Sequence, residues 1–164
     1  MGSRFSDDYY VGDVISDILS GGRSSRFYQR LMKNKELISY ADAYITGTLD
    51  PGLFLIEAKP NPNVSIENLE KGIWEELENI KEGKISEQEL EKIKNKIESA
   101  LIYSELNILI KAVNLAYFEM IGNANLINQQ IDLYNDISIA QISDTAQKFF
   151  QSNNCTEVVY FPES

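Results

Sequence analysis

Carboxylates are the most abundant chemically capable side chains in this sequence, and ten of them fall between residues 67 and 98. Paired acids can hydrolyse glycosides or hold a hard metal ion. Here they are interleaved with Lys71, Lys81, Lys84, Lys92, Lys94 and Lys96 and lie opposite apolar stripes. That pattern predicts a solvated face with ordinary i,i+4 pairs such as Glu67 with Lys71. Asp13 and Asp17, four apart, read the same way. A second candidate is the corner "LSGGRSSRFYQR", where glycines end one helical pattern, serines open another, and Arg23, Arg26 and Arg30 gather. Backbone N–H groups and guanidinium groups at a helix start can bind an anion. The alternative is a plain turn between two helices, and "GGRSSR" lacks the phosphate-loop spacing. Tyr40 and Tyr44 share a strand face with Ile38, which predicts cross-strand packing; the other reading is a phenol bonding a substrate carbonyl.

What is missing narrows the chemistry further. The chain has no histidine, which removes Ser-His and Cys-His catalysis and every His-ligated metal site. One cysteine, Cys155, rules out an internal disulfide. It lies in a short apolar run, so a buried, inert thiol is expected. The net charge of −10 argues against nucleic acid and anionic membrane, both of which need a basic footprint; it is compatible with basic peptides. The most apolar stretch, residues 101–121, carries Glu105, Lys111 and Glu119, so no membrane span is read. The opening "MGSRFSDDYY" is polar and shows no signal-peptide core.

The elements that would position these groups follow from periodicity and caps. Ser6 opens a helix with the stripe Tyr10, Val11, Val14, Ile15, Ile18 and Leu19, stopped by Gly21 or Gly22. Ser24 or Ser25 caps a shorter helix bearing Phe27, Tyr28 and Leu31. "LISYADAYITGTL" and "LFLIEAK" flank Asp50-Pro51-Gly52 and predict a hairpin. Ser65 caps a helix burying Ile66, Leu69, Ile73, Trp74, Leu77 and Ile80 and ending at Gly83. Ser86 with Glu89 forms a capping box for the next. A helix at about 107–121 is apolar on most sides, so it must be central or covered by another domain. Ser138 with Gln141 caps the last helix, and "CTEVVYF" reads as a closing strand.

At 164 residues this is one α+β domain, residues 1–164, with a small, mainly antiparallel sheet and several helices packed on one face. Three strands are few for six helices. A first strand missing from the N-terminus, or pairing with another domain, would complete the sheet.

Taken in order, the segments resemble a known family. "SDDYYVGDVISDILSGGRSSRFYQRLMKNKELISYADAY", "DPGLFLIEAKP", "IWEELENIKEGKISEQELEKIKNKI" and the final "VVYFP" are similar to the C-terminal homologous domain of the pitrilysin/insulinase-type zinc peptidases, which include the mitochondrial processing peptidases. The resemblance covers nearly the whole chain. It implies a metallopeptidase half-domain of the processing-peptidase type, facing a homologous domain across a peptide chamber. In that family one domain carries an inverted H-x-x-E-H zinc motif, whose metal activates water; the other has usually lost it. A chain without histidine matches the second kind.

The resemblance therefore implies no catalytic residue, metal ligand or cofactor in this chain, with zinc expected in the partner domain. The implied partners are that zinc-bearing domain or subunit, a peptide substrate and a second copy of the chain in a homo-oligomer. Active members place an Arg and, seven residues on, a Tyr near the substrate carbonyl. Aligned without gaps, those positions are Met32 and Ser39; a shift of one gives Lys33 and Tyr40, with Lys a poorer bidentate partner than Arg. Lys33 and Tyr40 are the substrate-binding candidates. The expected function is a non-catalytic C-terminal domain of a zinc metalloendopeptidase, inactive alone. The alternative is a non-proteolytic assembly module of the same fold. A self-contained carboxylate hydrolase has no supporting motif.

Overall fold

The structure, a computed structural model, describes Arg4 and residues 6–161. Residues 1–3 and 5, part of the segment read for a leader, and Pro162, last residue of the family-like "VVYFP", lie outside the described residues. The order is α1 (Asp7–Ser20), a π-helix (Phe27–Asn34), β1 (Ile38–Ile45), β2 (Phe54–Pro60), α2 (Ile66–Lys81), α3 (Glu87–Glu105), α4 (Ile108–Met120), α5 (Leu126–Asn135) and α6 (Ile139–Phe149). This is the expected α+β class, with one antiparallel two-stranded sheet among the described residues.

The predicted stripe makes α1 the spine of the fold. Val14, Ile15 and Leu19 are fully buried, and α1 touches β1, α3, α5, α6 and the π-helix. Leu69, Leu77 and Ile80 of α2, Leu90, Ile93 and Ile97 of α3, and Ile142 and Ala146 of α6 complete the core. Ser65, Asn107 and Ser138 cap α2, α4 and α6 with their side chains. Each satisfies backbone N–H groups that a helix start otherwise leaves unpaired. Gly83 ends the turn after α2 at φ +68°, a conformation glycine adopts without a side-chain clash.

Several expectations are corrected. The second helix is a π-helix, in which Lys35 N–H donates to Arg30 O, five residues back. Its N-cap position is Arg26, not Ser24 or Ser25. A β-bulge at Ser39, between the pairs Ile38–Pro60 and Tyr40–Lys59, shifts the alternation. Ile38 is buried while Tyr40 and Tyr44 are exposed on the other face, so the three do not share one.

The helix at residues 126–135 adds an element the periodicity reading did not assign. Residues 155–161 are extended at Cys155 but form no ladder, and all are exposed. Strand-prone residues become a strand only beside a neighbouring strand, and this segment has none among the described residues. For the same reason the Cys155 thiol is exposed, not buried. α4 is not central either: of its residues only Phe118 is buried.

Candidate functional site

The corner between α1 and the π-helix is built from ion pairs. Arg26 is only 2% exposed. Its Nε and Nη2 donate to Glu89 Oε1 (2.9 Å) and Oε2 (2.8 Å), and Nη2 also donates to Lys84 O (2.7 Å). Such a planar fork is the strong form of an Arg–carboxylate pair. It ties the corner to the start of α3. Ser86 accepts from Glu89 N–H, as a capping box requires. The Glu89 carboxylate goes to Arg26, so the cap is one-sided.

Arg30 Nη1 donates to Glu76 Oε2 at 2.7 Å, and Glu76 is 2% exposed. Glu76 therefore leaves the solvated face on which the other acids of this stretch were placed. Lys96 Nζ reaches Asp17 Oδ1 (2.8 Å) and Gly21 O (3.1 Å). A cavity of about 380 Å³ lies over these groups, but Arg26, Arg30 and Lys96 already have carboxylate partners. These pairs make Arg26 and Arg30 joints of the scaffold, tying the corner to α3 and α2.

A smaller cavity, about 200 Å³, runs between the end of α1, the π-helix and β1, lined by Ser20, Arg23, Phe27, Met32, Ile38 and Ala41 among others. Ser20 Oγ accepts Ala43 N–H (3.0 Å) and donates to Asp42 Oδ1 (2.8 Å). It thereby occupies a backbone group at the edge of β1 that another strand would otherwise use. Nothing in the local sequence marks Ser20 for this; its partners lie more than twenty residues away.

Of the candidate substrate residues, Lys33 is exposed in the last turn of the π-helix, and Tyr40 is 49% exposed on β1. Neither lines either cavity, whereas Met32 lines the smaller one. Ser39 Oγ donates to Lys59 O at the bulge (3.3 Å). Tyr44 donates to Glu57 Oε1 across the hairpin (2.6 Å), and that hydrogen bond raises its phenol pKa.

Asp13, read as solvated, is half-buried, and the Tyr134 hydroxyl donates to it at 2.6 Å. Burial raises the pKa of both groups. Among the described residues no three His, Cys, Asp or Glu side chains are grouped to hold a metal, and the sequence has no histidine to offer one. The donor set of this chain does not fit a catalytic zinc ion.

Comparison with known proteins agrees with this geometry. Residues 3–97, more than half of the chain, match the family model described as the peptidase M16 inactive domain. The zinc protease PqqE of Helicobacter pylori is 30% identical over 157 residues, covering 94% of this chain and 35% of that protein. The chain thus spans about a third of the length of the curated relatives it matches. The solved structure of a protease from Helicobacter pylori aligns with a TM-score of 0.87 at 25% identity, over 94% of this chain and 37% of that one. A structure of the inactive peptidase domain of a candidate zinc protease from Bordetella parapertussis shares the fold, with a TM-score of 0.87 at 24% identity, over 99% and 88% of the two chains. A histidine-free α+β domain in which Arg26 and Arg30 of the corner are paired with carboxylates, and in which residues 3–97 match this model, belongs to the peptidase M16 inactive-domain family.

Proposed function

We propose that the chain is the zinc-free half of a zinc metalloendopeptidase, forming the chamber wall and substrate surface opposite an H-x-x-E-H half. The observation that carries this reading is the family match in a chain with no histidine. Zinc, the activated water and the general base then belong to the other half. In this reading Lys33 and Tyr40, both solvent-facing, meet the peptide; an ammonium and a phenol there can stabilise charge on a carbonyl oxygen.

The test is to mix the purified chain with the zinc-loaded H-x-x-E-H half from the same genome and follow cleavage of an unstructured peptide. The chain alone should show neither stoichiometric zinc nor cleavage, and the mixture should cleave well above the zinc half alone. Lys33→Ala and Tyr40→Phe should each lower kcat of the mixture by about tenfold or more. Chelator-sensitive cleavage by the chain alone would sink the proposal.

One observation favours a second reading, a non-proteolytic assembly module. The ungapped alignment puts Met32 and Ser39 where active members place Arg and Tyr. In that case the two halves bind and cleavage does not rise.

A further inference from the structure

Exposed apolar side chains recur in the hairpin and at residues 158–161, but most of those among the described residues lie around α4. Nine large apolar side chains between residues 102 and 120 are exposed, from Ile102, Tyr103 and Leu106 at the end of α3 through α4. On α4, Ile108 is 84% and Leu109 72% exposed, and Val113 and Met120 follow on the same side. With a period of 3.6 these residues and Ala112 and Ala116 form one continuous face. Its only charge is Glu119, at the margin. Lys111 lies to the other side, paired with Glu105 at 3.3 Å.

The chemistry of this face selects its occupant. A helix that lies on a lipid surface carries Lys and Arg along its polar side; α4 has one lysine, in a chain of net charge −10. A transient protein contact is about as polar as the rest of a surface, whereas a permanent one resembles a domain core cut in half. The face of α4 is of the permanent kind, and Ala112 and Ala116 leave room for a close backbone approach. In the curated relatives, roughly two thirds of the length lies outside the part this chain matches.

We infer that the outward face of α4, centred on Leu109, Val113 and Met120, is the surface on which the zinc-bearing half of the peptidase packs. This rests on the proposed function and adds to it the surface that joins the two halves. The loss of the α4 face from solvent is then a condition of assembly, and no peptide or metal contact is required of it.

The experiment uses the full chain and the zinc-loaded H-x-x-E-H half from the same genome. Hydrogen exchange of the unaltered chain should slow across residues 108–120 when that half is added. The double substitution Leu109→Glu with Val113→Glu should weaken binding by about a hundredfold or more, as loss of a buried apolar anchor does. The melting temperature of the chain alone should hold, because both side chains are already in water. Binding unchanged by the substitution, or unslowed exchange in a complex that forms, would overturn the interface and leave the proposed function standing. Failure of the zinc half to bind even the unaltered chain would remove the functional reading and this inference with it. A dimer of the chain alone that the substitution splits would assign the face to a second copy instead.

Discussion

Asp13 faces α5 from the middle of α1, and its carboxylate is held by the Tyr134 hydroxyl at 2.6 Å. Burial lifts its pKa above the ordinary 3.8 against the lowering pull of the Tyr134 hydrogen bond; the Asp17 charge adds to the rise, and Arg4 and Lys96 oppose it. A carboxyl whose folded pKa is raised stabilises the fold most at acid pH. That contribution is lost as pH rises from about 4 through the folded value, because the folded state must then hold a costly charge. Asp13→Asn removes the ionisation and keeps an acceptor for Tyr134, so its stability relative to the parent should climb between pH 4 and pH 7. Tyr134→Phe leaves the ionised carboxylate without its donor and should cost about 1–3 kcal/mol at pH 7, and less at pH 4. Urea unfolding at the two pH values reads both; an equal cost for Tyr134→Phe at each would refute the account. Such roles were not legible locally. Asp13 and Glu76 each sit at a spacing that reads as a solvated acid, and each acquires its role from a residue far along the chain, Tyr134 or Arg30. Lys33 and Tyr40 were reached through alignment, since no spacing rule marks an exposed lysine and tyrosine.

Helix starts are legible where they are local chemistry, as Ser65 and Ser138 show, although the Asn107 cap was not among those expected. Ser65, Asn107 and Ser138 sit one residue before α2, α4 and α6, and their side chains accept the first free N–H groups. Long-range pairing changed the rest. At α3 the serine half of the capping box forms, but Glu89 turns away to Arg26. That link fixes the π-helix corner against α3 and so sets the path into β1. Glu89→Gln keeps a hydrogen-bond acceptor but strands a buried guanidinium without its counter-charge, and should cost about 3 kcal/mol. Glu87→Gln, in the same turn of α3, should cost little, because an exposed carboxylate at a helix start is worth only tenths of a kcal/mol to about one. Thermal melts of the two variants separate these cases; equal destabilisation would mean that the Arg26 fork holds nothing together. α5 is hard to see in the sequence although Ile127, Gln130 and Tyr134 recur at helical spacing along its buried side. Its polar surround of Asn and Gln dilutes the apolar stripe on which periodicity depends. The closing segment departs from expectation for the opposite reason: its composition suits a strand, but a strand exists only in a pair.

Charge acts on the molecule as a whole. The chain carries 25 acidic and 15 basic residues, and many of the bases are engaged: Arg26, Arg30, Lys35, Lys81, Lys84, Lys96, Lys111 and Lys148 each meet a carboxylate. The unpaired excess is therefore negative, and its self-repulsion opposes the compact state. Added salt screens that repulsion over roughly 10 Å at 0.1 M and shorter distances above it. It also weakens the exposed ion pairs, but those are individually worth little, while the buried fork at Arg26 is hardly screened. Repulsion should dominate, so raising sodium chloride from 0.02 to 0.5 M should stabilise the chain by about 1 kcal/mol, some 2–4 °C in Tm for a domain of this size. Sodium chloride is the right probe because sulfate would also strengthen apolar burial. The exposed face of α4 makes a control necessary, since salt could stabilise the chain by driving copies together. The shift should be the same at tenfold different protein concentrations. A Tm that falls with salt would mean that ion pairs outweigh the excess charge, and a concentration-dependent rise would point to association through the uncovered face.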